Sequence, residues 1–124
     1  MTRTVDGKWL VVPAARALES GQTTTFSFES QGQRQQGFIL RKGDALFAYA
    51  NRCPHWNVDL DLGDERFYDG AIDRIYCKNH GATFVPEDGS CDFGPCFGRA
   101  LERFEIREDT DGIKVEISKV DASR

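Results

Sequence analysis

With 124 residues, 40% of them hydrophobic, the chain can form one domain with a core but is too short for two of ordinary size. A net charge of −4 at pH 7 argues against the basic stripe that a nucleic-acid binder carries. The longest apolar run, Leu46–Ala50, falls far short of the roughly 18 residues that span a bilayer, so no membrane contact is expected.

The N-terminal stretch lacks the long apolar run and small-residue cleavage site of a secretory signal, and the chain reads as soluble and cytoplasmic. Strand-like runs then follow one another. Lys8–Val12 is the first, and Pro13–Gly21, with Pro at its start and Gly at its end, is the one helical candidate. Thr23–Glu29 alternates Phe26 and Phe28 with polar residues. Gln36–Arg41 and Ala45–Ala50 follow, separated by the turn Lys42–Asp44. Ile72–Cys77 and Ala82–Val85 come next, then a turn at Pro86–Gly89. Leu101–Glu108 and Ile113–Ser118 close the chain, the last with Ile113, Val115 and Ile117 on one face. Regular short strands between Gly and Asp turns predict an all-β domain of antiparallel sheets.

Two loops carry the chemistry. The chain has only two histidines, and each follows a cysteine closely: Cys53-Pro-His55 and Cys77-Lys-Asn-His80. Pro54 holds Cys53 to extended geometry, and Gly81 permits a tight turn directly after His80. Buried cysteines are often plain small hydrophobes, but the repeated pairing in turn-flanked loops points to a metal. In a cytosolic protein four cysteines likewise favour metal or redox chemistry over a disulfide framework. A structural zinc site also takes two Cys and two His, though its motifs usually keep like ligands together. The mixed order here suits a dinuclear centre better, with two thiolates on one iron and two imidazoles on the other.

The segments "CPH" and "CKNHGATF", followed by "PEDGSCDFGPC", resemble the Rieske [2Fe-2S] iron–sulfur domain family. The resemblance implies one cluster per chain, held by Cys53, His55, Cys77 and His80. It also implies a Rieske-like fold of small antiparallel sheets with the cluster at one tip. A single domain over 1–124 is expected, with its cluster-binding part at about 51–97. Gly94-Pro95 is placed to be the proline-bearing loop that covers the cluster.

Respiratory members of the family tie the ligand loops with a disulfide; the matching positions are Val58 and Asn79, which cannot form one. Their serine and tyrosine donors to the sulfurs match Ala82 and Phe84, which have no side-chain donor. Hydrogen bonds to the sulfurs raise the potential, so their absence places it near the low end of the Rieske range, roughly −150 mV. The pattern resembles a Rieske-type ferredoxin. That resemblance implies a monomeric electron carrier, with no catalytic residue of its own, taking electrons from a flavin-dependent reductase and passing them to a terminal oxygenase, as a component of a dioxygenase system. A Rieske oxygenase adds an iron held by two further histidines and a carboxylate, and no histidine remains for that. The alternatives are a Rieske small subunit of a larger oxidoreductase such as a nitrite reductase, and a zinc-stabilised binding module.

Three features lie outside the ligand pattern. Cys91 and Cys96 are read as packed or hydrogen-bonding thiols, with a local disulfide or a separate metal site as alternatives. Pro54, Trp56, Phe93, Pro95 and Phe97 form either an apolar rim around the ligands or ordinary packing between loops. Asp59, Asp61, Asp64, Glu65 and Asp69 read as a solvated acidic flank that would steer a basic partner.

Overall fold

Phenylalanines alternating with threonine, serine and glutamate in 23–29 favour a strand with one buried face. The computed structural model describes residues 3–5, 9–30, 32–54, 59–61, 63–78, 81–110 and 112–117. In chain order its strands are β1 (Arg3–Val5), β2 (Trp9–Val11), β3 (Thr23–Ser30), β4 (Gln33–Lys42), β5 (Ala45–Ala50) and β6 (Tyr68–Asp69). They continue with β7 (Arg74–Tyr76), β8 (Thr83–Phe84), β9 (Cys91–Phe93), β10 (Arg103–Phe104), β11 (Ile106–Asp109) and β12 (Gly112–Glu116).

These make three four-stranded sheets, ordered β1-β2-β12-β11, β10-β5-β4-β3 and β6-β7-β8-β9. Every pairing is antiparallel. The middle sheet serves two cores, because successive residues of β4 and β5 point to opposite faces. Ile39 and Ala48 join Phe26, Phe104, Leu10 and Val115 in one buried cluster shared with the first sheet. Phe38, Leu40 and Tyr49 join Phe67, Ile75 and Phe84 in the other, shared with the third sheet. Phe38 and Phe67 stack at 4.1 Å there, and the buried Tyr49 hydroxyl donates to the Pro86 carbonyl at 2.6 Å. In the first core the Phe26 ring lies over Gly37, its register partner; a Cβ at Gly37 would come within 2.4 Å of that ring.

The all-β expectation holds, with local corrections. The helical candidate at 13–21 is a five-residue 3-10 turn, Pro13–Ala17, with only Ala15 buried. One buried residue cannot anchor an amphipathic helix. The strand expected at 72–77 begins only at Arg74, because residues 71–73 turn, and the one expected at 101–108 splits at Glu105. β4 starts earlier than its apolar stretch because Gln33–Gln36 pair with Ser27–Ser30 across the hairpin. Among the described residues no helix is long and apolar enough to cross a membrane.

Candidate metal centre

The first ligand loop leaves β5 at Ala50 and is closed by one side chain. Asn51 is 4% exposed; its amide nitrogen donates to Gln36 Oε1 at 2.7 Å and to Asp61 Oδ1 at 3.2 Å. Its amide oxygen accepts from the Leu60 backbone N–H at 2.8 Å. Asn51 therefore ties Leu60 and Asp61 to the end of β5 and fastens them to β4. Asp61, only 2% exposed, also accepts from the Glu65 N–H at 2.8 Å. Asp61 thus belongs to the scaffold, which corrects its reading as part of a solvated flank. Asp59 beside it is exposed at its surface, and partial desolvation, with the Asp61 carboxylate adding to it, raises its carboxyl from the ordinary value.

The second loop starts where β7 ends. The Cys77 N–H donates to the Ala82 carbonyl and the Gly81 N–H to the Cys77 carbonyl, both at 2.9 Å, so Cys77 is tied to Gly81 and Ala82. Gly81 takes a φ of 72°, the left-handed region that glycine enters without strain. The Lys78 N–H reaches the Leu60 carbonyl at 3.0 Å, which joins this loop to the far end of the first. An ion pair between Lys78 and Asp64 lies outside that junction.

Residues 94–99 form a third loop against both. Gly94, at φ 103°, lies so close to the second loop that a Cβ would be 2.8 Å from the Ala82 Cα. Arg99 Nη1 donates to the Pro54 carbonyl of the first loop at 3.0 Å. Beneath them, Cys96 Sγ is 3.3 Å from Cys53 Sγ. The Cys91 thiol donates to the Phe93 carbonyl at 3.2 Å, and burial pushes that thiol up. Thr83 hydrogen-bonds to Asp92 at 2.6 Å, and with Arg74 at 2.8 Å this holds the Asp92 carboxyl below its ordinary range.

Of the four expected ligands, Cys53 and Cys77 are both 0% exposed and share one buried cluster with Leu60, Ala82, Phe84 and Cys96. His55 and His80 lie outside the described residues, as do Trp56, Val58 and Asn79. All four cysteines are thiols, none in a disulfide. Two thiols brought from separate loops into one buried, largely apolar cluster fit the thiolate half of a cluster site. Ala82 and Phe84 are 0% exposed and present no side-chain donor to it. Phe93 and Phe97 are 67% and 74% exposed, so they lie on the surface flanking Pro95 rather than packing between the loops. Asn51 is a site residue that the sequence left without a role, and Cys96 reads there only as a packed or hydrogen-bonding thiol. An Asn directly ahead of a ligand loop was the available signal for the first.

A model of the Rieske [2Fe-2S] domain matches residues 8–108. A solved ferredoxin of carbazole 1,9a-dioxygenase from Nocardioides aromaticivorans IC177 is similar in fold, with a TM-score of 0.63 and 23% identity over 88% of this chain and 95% of that one. A chain from a complex of reduced oxygenase and oxidized ferredoxin in carbazole 1,9a-dioxygenase is 28% identical, with a TM-score of 0.66 over 91% of this chain and 97% of the other. A third, from a fluorene-bound oxygenase and ferredoxin complex, has a TM-score of 0.72 and 18% identity, and there the match spans only 30% of the other chain. No curated protein matches the sequence.

Proposed function

The chain belongs to the Rieske [2Fe-2S] domain family, and from that premise we propose that it is a ferredoxin holding its cluster through Cys53, His55, Cys77 and His80. In this reading it takes one electron at a time from a flavin-dependent reductase and passes it to a terminal oxygenase. It acts as a cytoplasmic monomer, one domain over 1–124 with its cluster-binding part at about 51–97. The observation that carries the reading is the near full-length likeness to a ferredoxin of a multicomponent dioxygenase, which covers 88% of this chain and 95% of that one. The buried pair Cys53 and Cys77 supports the ligand assignment.

When bound, the cluster supplies a one-electron couple. The chain determines how easily that couple is reduced. Two neutral imidazoles in place of thiolates remove two negative charges and raise the potential well above roughly −400 mV. Ala82 and Phe84 leave out the serine and tyrosine donors of high-potential relatives, which keeps it near roughly −150 mV. Asn51 and the 77–82 turn hold the ligand loops in place, so little rearrangement accompanies electron transfer. Both histidines are assigned to the cluster, so none remains for a mononuclear iron, and the protein makes and breaks no substrate bonds.

Aerobic purification followed by EPR tests the reading. A brown protein with a signal on reduction and a potential near roughly −150 mV is expected; a colourless protein with stoichiometric zinc, or a potential above about +200 mV, refutes it. His55→Cys should keep some cluster but lower the potential, since it adds a negative charge to the ligand set. A protein that co-purifies in fixed stoichiometry with a larger oxidoreductase would instead be a subunit.

A further inference from the structure

We propose that Cys96 is a positioning residue of the electron-transfer centre, its thiol donating a hydrogen bond to the Cys53 sulfur and raising the cluster's reduction potential. The inference rests on the ligand assignment above and concerns a group outside the ligand set. Cys96 Sγ and Cys53 Sγ are 3.3 Å apart, and both residues are 0% exposed. On geometry alone either sulfur could donate. Chemistry decides, because a metal-bound cysteine is a thiolate and has no proton to give. The proton is therefore that of Cys96.

Cys91 is a second hydrogen-bond partner of Cys96 and competes for that proton. The Cys91 thiol spends its own on the Phe93 carbonyl at 3.2 Å. A thiolate is the stronger acceptor for Cys96, since hydrogen bonds to charged partners are about twice as strong as neutral ones. The third loop fixes the approach: Arg99 N–H donates to the Cys96 carbonyl at 2.8 Å, Arg99 Nη1 donates to the Pro54 carbonyl, and Gly94 abuts Ala82. Ala82 and Phe84 give the sulfurs no side-chain donor, and the Thr83 hydroxyl is engaged with Asp92. The thiol of the covering loop is thus a side-chain donor that reaches a ligand sulfur from outside the ligand motifs. One-electron reduction would make the cluster as a whole more negative and strengthen such a bond, so the reduced state would be favoured. The proton stays on Cys96 throughout, and no bond forms or breaks.

The test is a mediated redox titration of the purified holoprotein as wild type, Cys96→Ala, Cys96→Val and Cys96→Ser, with iron content and EPR recorded for each. Cys96→Ala and Cys96→Val should lose about three- to tenfold in the equilibrium constant for reduction, a drop of about 28 to 59 mV for a one-electron couple. Cys96→Ser keeps a donor and should match or exceed the wild type. Equal potentials in all four overturn the proposal, as does a serine variant that falls with alanine, since that pattern reports packing alone. If alanine and valine variants fail to hold iron, the serine variant decides, and a potential below wild type overturns the proposal. A wild type without iron refutes the cluster assignment instead, so the two failures are distinguishable.

Discussion

Replacing Asn51 by alanine cuts the fastening of the first ligand loop at one point. The side chain makes three hydrogen bonds, at 2.7 Å to Gln36, 3.2 Å to Asp61 and 2.8 Å from Leu60 N–H. Gln36 is half-buried and can turn toward water, so its loss is small. Leu60, at 0% exposure, is left with an orphaned N–H, which costs about 1–3 kcal/mol. Asp61, at 2% exposure, keeps the Glu65 N–H but loses a donor to its carboxylate, which costs about 1–2 kcal/mol more. The sum is about 3 kcal/mol, or a hundredfold or so in the loop's opening equilibrium. Urea unfolding of the holoprotein and the rate of bleaching by an iron chelator read the two consequences. Asp64→Asn, which weakens an exposed ion pair with Lys78, should cost less than about 1 kcal/mol and serves as the control. An Asn51→Ala protein within about 1 kcal/mol of wild type, bleaching at an unchanged rate, would refute the argument that this side chain holds the loop.

Two further substitutions probe the cover and the core. Gly94→Ala should cost at least about 2 kcal/mol and speed chelator bleaching, because it combines a φ of 103° with a Cβ 2.8 Å from the Ala82 Cα. Gly98→Ala, at φ 92° with open space around it, should cost only the backbone strain of about 1–2 kcal/mol; equal losses would mean that the close approach to Ala82 is unimportant. Tyr49→Phe should lose about 1–2 kcal/mol near neutral pH by orphaning the Pro86 carbonyl. Burial pushes the Tyr49 hydroxyl up to about 12. A folded-state pKa above the unfolded value of about 10 gives stability that is present below pH 10 and lost as pH rises toward 12. Urea midpoints from pH 8 to 11 should therefore show wild type converging on Tyr49→Phe, and a constant gap would contradict the assignment.

The parts legible in the sequence are those written in neighbouring residues. Ala45–Ala50 is a strand with the expected limits, and Ile113, Val115 and Ile117 are buried on one face. Cys53 and Cys77, chosen for their spacing to the histidines, occupy one buried cluster. The rest depends on contacts far apart in the chain. Asp61 sits in an acidic run that looks solvated; it is buried because Asn51 and the Glu65 N–H supply its hydrogen bonds, and a local charge count carries no trace of that. Cys96 and Cys53 are 43 positions apart, so no motif links them. Tyr68–Asp69 and Cys91–Phe93 are too short to show alternation and are strands only because β7 and β8 offer edges to pair with.

The division of the middle sheet between two cores bears on how the protein is made. The core shared by the first and middle sheets contains none of the four cysteines, while the other contains all of them. One half of the molecule can therefore consolidate from apolar burial alone, with no cysteine among its buried side chains. Loss of a cluster from the other half would then leave this first half in place.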